Sequence, residues 1–200
     1  MDNAWHTTHL CRETVIEMLQ DRGYISNRTT KSLSLQEFMH EYSNALQDRS
    51  TIKMLVLHSK TNEQLVCHFF DEAKVGLKAL KLTIEGILSQ KIENVVLVCK
   101  EGLSPAGAKF VAEFKNVEVF KEKELLFNVT KHMLVPKHRI LEYEEKCKLL
   151  ECRRIKESQL PRMLITDRIA RHFGAKRGDV FEIVRSSETA GESLYYRIVV

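Results

Sequence analysis

The stretch Ile169-Ala170-Arg171-His172-Phe173-Gly174-Ala175-Lys176-Arg177-Gly178-Asp179-Val180 decides the fold of the last third of this 200-residue chain. Asp167 precedes it and is a good helix N-cap, whereas Gly174 is typical of a helix C-terminus. The apolar residues between them fit one face of a short helix. Gly178 then predicts a turn into a strand from Val180 to Arg185. Helix followed by strand indicates a small α+β unit.

The segments on both sides extend this pattern. Three glutamates open a helix that we expect to end near Cys152-Arg153-Arg154, with Tyr143, Cys147 and Leu150 as its buried stripe. Pro161 disfavours helical geometry at Leu160, so the residues around it should be extended. A loop from Ser186 to Gly191 should lead to a last strand, Leu194 to Val200.

The first 130 residues alternate helices and strands. Two apolar stripes predict helices, the first ending at Gly23 and the second opened by the capping box Ser34-Leu35-Gln36-Glu37. The residues of the two stripes are Cys11, Val15, Met18, Leu19 and then Leu35, Phe38, Met39, Tyr42, Leu46. Two β-rich runs, Ile52 to His58 and Gln64 to Phe70, predict a hairpin.

The order continues with a helix carrying Leu77, Leu80, Ile84 and Ile87, and with an apolar strand, Val95 to Val98. A helix opened by Ser104-Pro105 and running through Phe110 and Phe114, and a strand from Val117 to Phe120, follow. Strands separated by helices predict an α/β domain with a mixed sheet and flanking helices.

Several motifs of the last seventy residues resemble one family. They are Gln159-Leu160-Pro161-Arg162, the stretch 169–180, Ser187-Glu188-Thr189-Ala190-Gly191, Tyr195-Tyr196-Arg197 and the linker His132-Met133-Leu134-Val135-Pro136-Lys137-His138. Their order is similar to that of the fifth subunit shared by eukaryotic nuclear RNA polymerases I, II and III, whose C-terminal module resembles a small subunit of archaeal RNA polymerase. The N-terminal part resembles the same family in the patches Asp21 to Tyr24, Lys74 to Lys78, Leu103 to Pro105 and Glu124 to Thr130.

The resemblance implies two domains and a function. Residues 1–130 would form a jaw domain related to restriction-type nucleases but without an active site, and residues 131–200 an α+β assembly domain. The chain would be a non-catalytic subunit of DNA-directed RNA polymerase in the nucleus. Its jaw would position downstream duplex DNA, and its C-terminal domain would dock onto the largest subunit. Other polymerase subunits and transcription factors are further implied partners; no cofactor, membrane or homo-oligomer is expected.

The docking residues implied by the family motifs lie in the linker and in the last forty residues. They are Val135, Pro136, His138, Leu160, Pro161, Arg162, Arg171, Phe173, Gly174, Arg177, Glu188, Thr189, Ala190, Gly191, Tyr196 and Arg197. From the residues alone, the arginines of this region allow three interpretations: a nucleic-acid patch, a patch for an acidic partner, or a solvated face. Arginine forks pair carboxylates in a bidentate manner, which suits a protein interface.

The DNA-proximal candidates are Ser104, Pro105 and Lys109. Free amides and the positive dipole end of the helix that Ser104 opens are suited to a phosphate, and Lys109 follows one turn later. The alternative is an ordinary capped helix. We expect weak contact with the DNA backbone, independent of base sequence.

Other chemistries find less support. Asp71-Glu72-Ala73-Lys74 contains the E-x-K of metal-dependent nucleases, but no partner acid ends a preceding strand. Paired histidines, His132 with His138 and His6 with His9, lack further ligands at metal-site spacing, so no metal is expected. A free-standing adaptor for transcription regulators and a paralogue confined to a specialised polymerase stay open as alternatives.

Composition and charge agree with a part of a larger assembly. The net charge is +4, and residues 131–200 carry 15 Lys and Arg against 10 Asp and Glu. This excess is too mild for a free-standing, tight DNA binder. Five cysteines without a C-x-x-C motif indicate reduced thiols, and no signal peptide or membrane-spanning run is evident. Ser186 and Arg168 replace prolines of the family pattern and His172 an aromatic residue, so we expect a looser loop at Ser186.

Overall fold

The computed structural model describes residues 2–25, 31–42, 49–187 and 191–200. The chain divides into two compact units, residues 1–127 and 128–200. The sequence predicted the boundary after residue 130, which is three residues beyond the observed division and lies within the 3₁₀ turn Val129–Lys131. No helix in the described ranges is long and apolar enough to cross a bilayer.

The N-terminal unit contains five helices and seven strands in its described residues. In chain order they are α1 (Asp2–Asp21), β1 (Tyr24–Ile25), α2 (Leu35–Glu41), β2 (Lys53–His58), β3 (Gln64–Phe69), β4 (Lys74–Val75), α3 (Leu77–Leu88), β5 (Asn94–Cys99), β6 (Gly102–Leu103), α4 (Pro105–Ala112), β7 (Val117–Lys121) and α5 (Glu122–Leu125). Five strands form one sheet in the order β1-β2-β3-β5-β7. The pairs β1–β2 and β2–β3 are antiparallel, whereas β3–β5 and β5–β7 are parallel, which confirms the predicted mixed sheet.

Helices cover both faces of this sheet. One core joins α1 and Phe38 to the β-sheet residues Met54, Cys67 and Val96. The other core places α3 and Val111 against Val66, Val95 and Leu97. Successive residues of β5 enter opposite cores, which explains why this strand reads as an unbroken apolar run.

Helix α1 is fastened near both ends. Close to its start, the Trp5 ring meets Phe38 of α2 edge-on, with 5.7 Å between ring centroids. Just beyond its end, Arg22 donates to both carboxylate oxygens of Glu118 in β7, at 2.8 and 2.7 Å. The predicted end at Gly23 is confirmed by its positive φ of 87°.

Most of the helices and strands predicted for this unit are present in the structure. The capping box is present, since the Ser34 amide donates to Glu37 Oε2 at 2.9 Å and the Glu37 amide to Ser34 Oγ at 3.3 Å. The second stripe is confirmed at Phe38, which is buried, and at Tyr42, which packs against the same core, but Met39 is exposed. Leu46 lies outside the described ranges. Helix α4 ends at Ala112, so the prediction that it runs through Phe114 is wrong.

The C-terminal unit is a four-stranded sheet with one helix on each face. Its elements are β8 (Lys137–Ile140), α6 (Tyr143–Arg153), β9 (Arg162–Met163), α7 (Arg168–His172), β10 (Val180–Ser187) and β11 (Gly191–Val199), with a second 3₁₀ turn at Glu157–Gln159. The strand order is β8-β10-β11-β9, antiparallel except for β11–β9. Phe181 and Val199 face α7, whereas Val180 and Ile198 face α6.

The short helix of the opening stretch forms as predicted. Asp167 Oδ1 accepts from the Ile169 amide at 2.8 Å, and Gly174 has a φ of 63°. Two other predictions are wrong. Tyr143 is 79% exposed, because α6 rests on the sheet through Leu149 and Leu150 instead. Ser186 does not lie in a loop, because it pairs with Glu192 in the hairpin.

Candidate functional site

The C-terminal sheet carries a polar network on the face that α6 partly covers. Arg139 in β8 donates to Glu145 of α6 at 2.9 Å and to Glu182 of β10 at 3.1 Å. Tyr196 of β11 donates to Glu182 at 3.3 Å, and the Arg153 guanidinium lies 4.8 Å from the Tyr196 ring centroid. Burial, followed by the neighbouring Glu182 charge, raises the pKa of Tyr196. These cations and anions therefore satisfy one another within the unit.

The opposite face is aromatic and apolar. Phe181 is fully buried and meets Phe173 edge-on at 5.8 Å and His138 at 6.0 Å, measured between ring centroids. Burial lowers the pKa of His138, and the Pro136 carbonyl 2.7 Å from its Nδ1 opposes that shift. The predicted docking residues His138 and Phe173 are thus half-buried supports of the sheet.

The remaining docking candidates divide by exposure. Leu160 is buried beside Val180 and Ile198, so its side chain belongs to the core of the unit. Pro161 is exposed, and Val135 and Pro136 are half-buried. Gly191 begins β11 with a φ of 70°. The candidates Glu188, Thr189 and Ala190 lie outside the described residues.

The arginines of this unit are used in two different ways. Arg139 and Arg153 are engaged in the polar network, and Arg171 is half-buried with a partner of its own. Six others are exposed and make no ion pair within the described residues: Arg154, Arg162, Arg168, Arg177, Arg185 and Arg197. Charges left unpaired by their own chain are available to a partner.

The DNA-proximal candidates lie at the start of α4 as predicted. Ser104 is the N-cap, its Oγ accepts from the Gly107 amide at 3.2 Å, and Pro105 occupies the first turn. Lys109 is exposed one turn further on. Because Pro105 has no N–H and the Ser104 hydroxyl occupies the Gly107 amide, this helix end alone offers an anion few donors.

The start of the predicted helix α3 lies beside the start of α4, an adjacency that the sequence did not predict. The strands β4 and β6 pair in parallel, and the Ser104 amide donates to the Val75 carbonyl at 3.0 Å. The next residue, Gly76, is the N-cap of α3 and supplies no side-chain cap. Close packing is possible because Gly107 has no side chain: a Cβ there would come within 2.6 Å of Leu80 Cδ1. The positive ends of the α3 and α4 dipoles therefore lie close together.

Exposed lysines surround the paired helix starts, whereas two exposed acids, Glu72 and Glu101, oppose them. Lys74 and Lys78 flank Gly76, and Lys109 lies on α4; all three are exposed. Glu72 Oε2 accepts from the Gly76 amide at 3.3 Å and places a negative charge at the same edge. The balance is mildly positive, which suits weak contact with a polyanion.

The E-x-K segment does not form a nuclease centre in the described part of the chain. Asp71 is bound by cations, with Lys100 Nζ at 2.9 Å and Arg49 Nε at 3.7 Å. Glu72 and Lys74 are both exposed. Within the described ranges, no group of three or more histidine, cysteine or acidic side chains is placed to hold a metal ion.

The geometry and the comparisons with known proteins define a class: the non-catalytic subunits of DNA-directed RNA polymerases. Residues 127–199 match the family described as RNA polymerase Rpb5, C-terminal domain, and residues 2–87 match RNA polymerase Rpb5, N-terminal domain. The chain belongs to this Rpb5 family.

Individual relatives support the same assignment over nearly the whole chain. The protein named DNA-directed RNA polymerases I, II, and III subunit RPABC1 in Caenorhabditis elegans is 36% identical over 197 residues, covering 94% of this chain and 93% of the relative. Its counterpart in Caenorhabditis briggsae is 34% identical with the same coverage. The Dictyostelium discoideum protein is 35% identical over 195 residues, covering 94% of this chain and 95% of the relative. The resemblance seen in the sequence motifs is confirmed.

Proposed function

We propose that the chain is shared among nuclear RNA polymerases I, II and III, the enzymes that the names of its relatives specify. Residues 128–200 dock onto the largest subunit. Residues 1–127 act as a jaw, with a nuclease-like fold that has no active site, beside the DNA that enters the enzyme. The protein accordingly works in the nucleus.

The observation that carries the docking role is the set of six exposed arginines without an ion pair in the described part of the C-terminal unit. In the same unit, Arg139 is held by Glu145 and Glu182. Exposed Tyr195 shares one face of the sheet with Arg185 and Arg197, which gives that face an apolar part beside two unpaired charges. Aromatic residues and arginine are enriched at protein interfaces.

Co-purification from nuclei tests docking directly. The tagged wild-type chain should recover the largest subunits of the three polymerases. Their combined amount should equal that of the tagged chain. The double variant R177A/R197A should recover at least about tenfold less, since each rim charge contributes roughly 1 kcal/mol. A control double variant, K115A/K123A, removes two exposed charges from the other unit and should behave as wild type.

Other outcomes identify the rival functions. A wild-type chain recovered with transcription regulators but without large polymerase chains would make it a free adaptor. Recovery of a single polymerase type would make it a specialised paralogue. Fluorescence microscopy of the tagged chain should show nuclear accumulation, and exclusion from the nucleus would contradict the proposed location.

The DNA role is supported by the two adjacent helix starts at Gly76 and Ser104 with their exposed lysines. A photoreactive residue at Ala106, which is exposed beside Ser104, should crosslink downstream DNA in the assembled enzyme. The same residue at Glu113, exposed at the other end of α4, is the matched control. Yield at Ala106 should fall as salt rises, as for phosphate contacts. Equal yields at the two positions would contradict the proposed contact.

A further inference from the structure

We propose that the outer edge of β11, from Gly191 to Tyr195, binds an extended acidic segment of a polymerase core subunit as an added β-strand. This inference rests on the proposed docking function and specifies how docking is achieved. In strand addition, backbone hydrogen bonds supply affinity and alternate side chains supply specificity.

The edge is open along most of its length. On its inner side β11 pairs with β10 over the whole register from Val180↔Ile198 to Ser187↔Gly191. On its outer side β9 pairs only with Ile198 and Val199. Among residues 128–187 and 191–200, no strand pairs with the outer side of Gly191 to Tyr195.

The direction of the backbone groups follows from the hydrogen bonds at the end of the strand. The Ile198 amide points outward, because it donates to the Pro161 carbonyl at 2.9 Å. The Val199 amide points inward, to the Asp179 carbonyl at 2.8 Å. Alternation along an antiparallel strand then directs the N–H and C=O of Glu192 and Leu194 outward, and those of Ser193 and Tyr195 toward β10.

Apart from the charge of Glu192, the side chains at this edge do little to protect it. Leu194 and Tyr195 are each 50% exposed, on opposite faces of the sheet. Proteins usually block a free edge with proline, lysine, a bulge or a covering loop. Residues 191–195 contain neither proline nor lysine. Exposed Leu194 and Tyr195 at an open edge are expected where a partner strand covers them.

The charges define the occupant. Arg185, Ser193, Tyr195 and Arg197 share the face that α7 partly covers, and neither arginine forms an ion pair in the described chain. Arg185 of β10 lies opposite Ser193 of β11. Because serine is small, the arginine side chain can extend across β11 toward an added strand, which would lie about 4.8 Å beyond it. Arg197 is positioned two residues beyond Tyr195.

A complementary strand therefore presents an acidic residue beside Ser193, an apolar residue beside Tyr195 and an acidic residue near Arg197. Because residues on one face of a strand are two apart, the occupant reads acidic-x-apolar-x-acidic. On the other face, Glu192 disfavours a third acid and Leu194 favours an apolar neighbour. The occupant is a protein strand with carboxylates on one face.

Hydrogen exchange of the full chain, free and in the assembled polymerase, measures strand addition amide by amide. The outward amides of Glu192 and Leu194 should exchange at least about a hundredfold more slowly after assembly. The inward amides of Ser193 and Tyr195 should be protected already in the free chain. Unchanged exchange of the Leu194 amide in an assembled enzyme would overturn the proposal.

A proline variant at residue 194 tests the contribution of the backbone amide separately from that of the side chain. L194P removes an outward amide without removing a bond to β10, and should weaken recovery of the polymerase at least about tenfold. L194T keeps the amide and a strand-favouring side chain, and should lose much less. Circular dichroism of both purified variants must match wild type; if L194P misfolds, the exchange measurement still decides.

The identity of the occupant is tested by a photoreactive residue at Tyr195. The crosslinked peptide should contain the acidic-x-apolar-x-acidic pattern, and a captured peptide without carboxylates would contradict it. A concentration-dependent dimer of the free chain that L194P abolishes would assign the edge to a second copy instead. If wild type joins no polymerase, the proposed function itself fails; if it joins and L194P joins equally well, only strand addition fails.

Discussion

The two units of the molecule use their charged residues in opposite ways. In residues 1–127, Arg12, Arg22 and Arg49 are turned inward, and Arg49 pairs with Glu122 beneath the surface. In residues 128–200, six exposed arginines make no ion pair within the described chain, and no described strand covers the edge of β11 from Gly191 to Tyr195. The first unit therefore pairs its buried arginines internally, whereas the second presents unpaired charges that suit the proposed docking.

Thiol reactivity should show the contrast most strongly. Cys11, Cys67 and Cys99 are buried in the first unit, and burial raises the pKa of Cys11 to about 12 and that of Cys99 to about 12. Cys152 is exposed on α6 of the second unit. Because the thiolate is the reactive form, alkylation at pH 8 should modify Cys152 at least about a thousandfold faster. Mass spectrometry of timed samples measures the rates; equally fast labelling of Cys67 would refute the self-contained core.

Breaking the buried ion pair of the first unit should have the next largest effect. Arg49→Met leaves Glu122 without its closest cation and should lower the free energy of unfolding by about 3–5 kcal/mol. Arg177→Met, an exposed change in the second unit, should stay within about 0.5 kcal/mol. Urea unfolding of both variants measures the difference. Similar losses would remove the distinction between inward and outward arginines.

The cap of α7 tests the stability of the smaller unit. Asp167→Ala removes the acceptor of the Ile169 amide and should cost about 1 kcal/mol, whereas Asp167→Asn should retain most of the cap. Thermal unfolding monitored at the second unit gives the values. An equally large loss in the asparagine variant would attribute the effect to charge and not to capping.

The smallest effect concerns the surface network of the second unit. Hydrogen bonds from Arg139, and then from the Glu142 amide, lower the pKa of Glu145. A carboxylate with a depressed pKa adds stability above its unfolded pKa, and that contribution disappears as pH falls through the folded value. An NMR titration should place the Glu145 midpoint below that of a free glutamate, and Arg139→Gln should shift it upward. A midpoint unmoved by Arg139→Gln would contradict the assigned cause.

How much the sequence predicts depends on the range of the interaction. Local signals such as the capping box at Ser34 and the N-cap at Asp167 predict the structure correctly, because their partners lie two or three residues away. The predicted burial of Tyr143 is wrong, since which side of a short amphipathic helix meets the sheet depends on packing between distant elements. The pairing of β4 with β6 joins two-residue strands 28 positions apart, and neither strand has a pattern of its own.

The long first helix has a mechanical consequence. Twenty residues of α-helix span about 30 Å, and α1 is clamped at its start by the Trp5–Phe38 contact and just past its end by the twin bonds between Arg22 and Glu118. The helix is therefore held by side-chain contacts near both ends. We therefore expect α1 to resist movement of β7 relative to α2. Loss of either contact, as in Arg22→Ala, should leave that end of α1 freer to move.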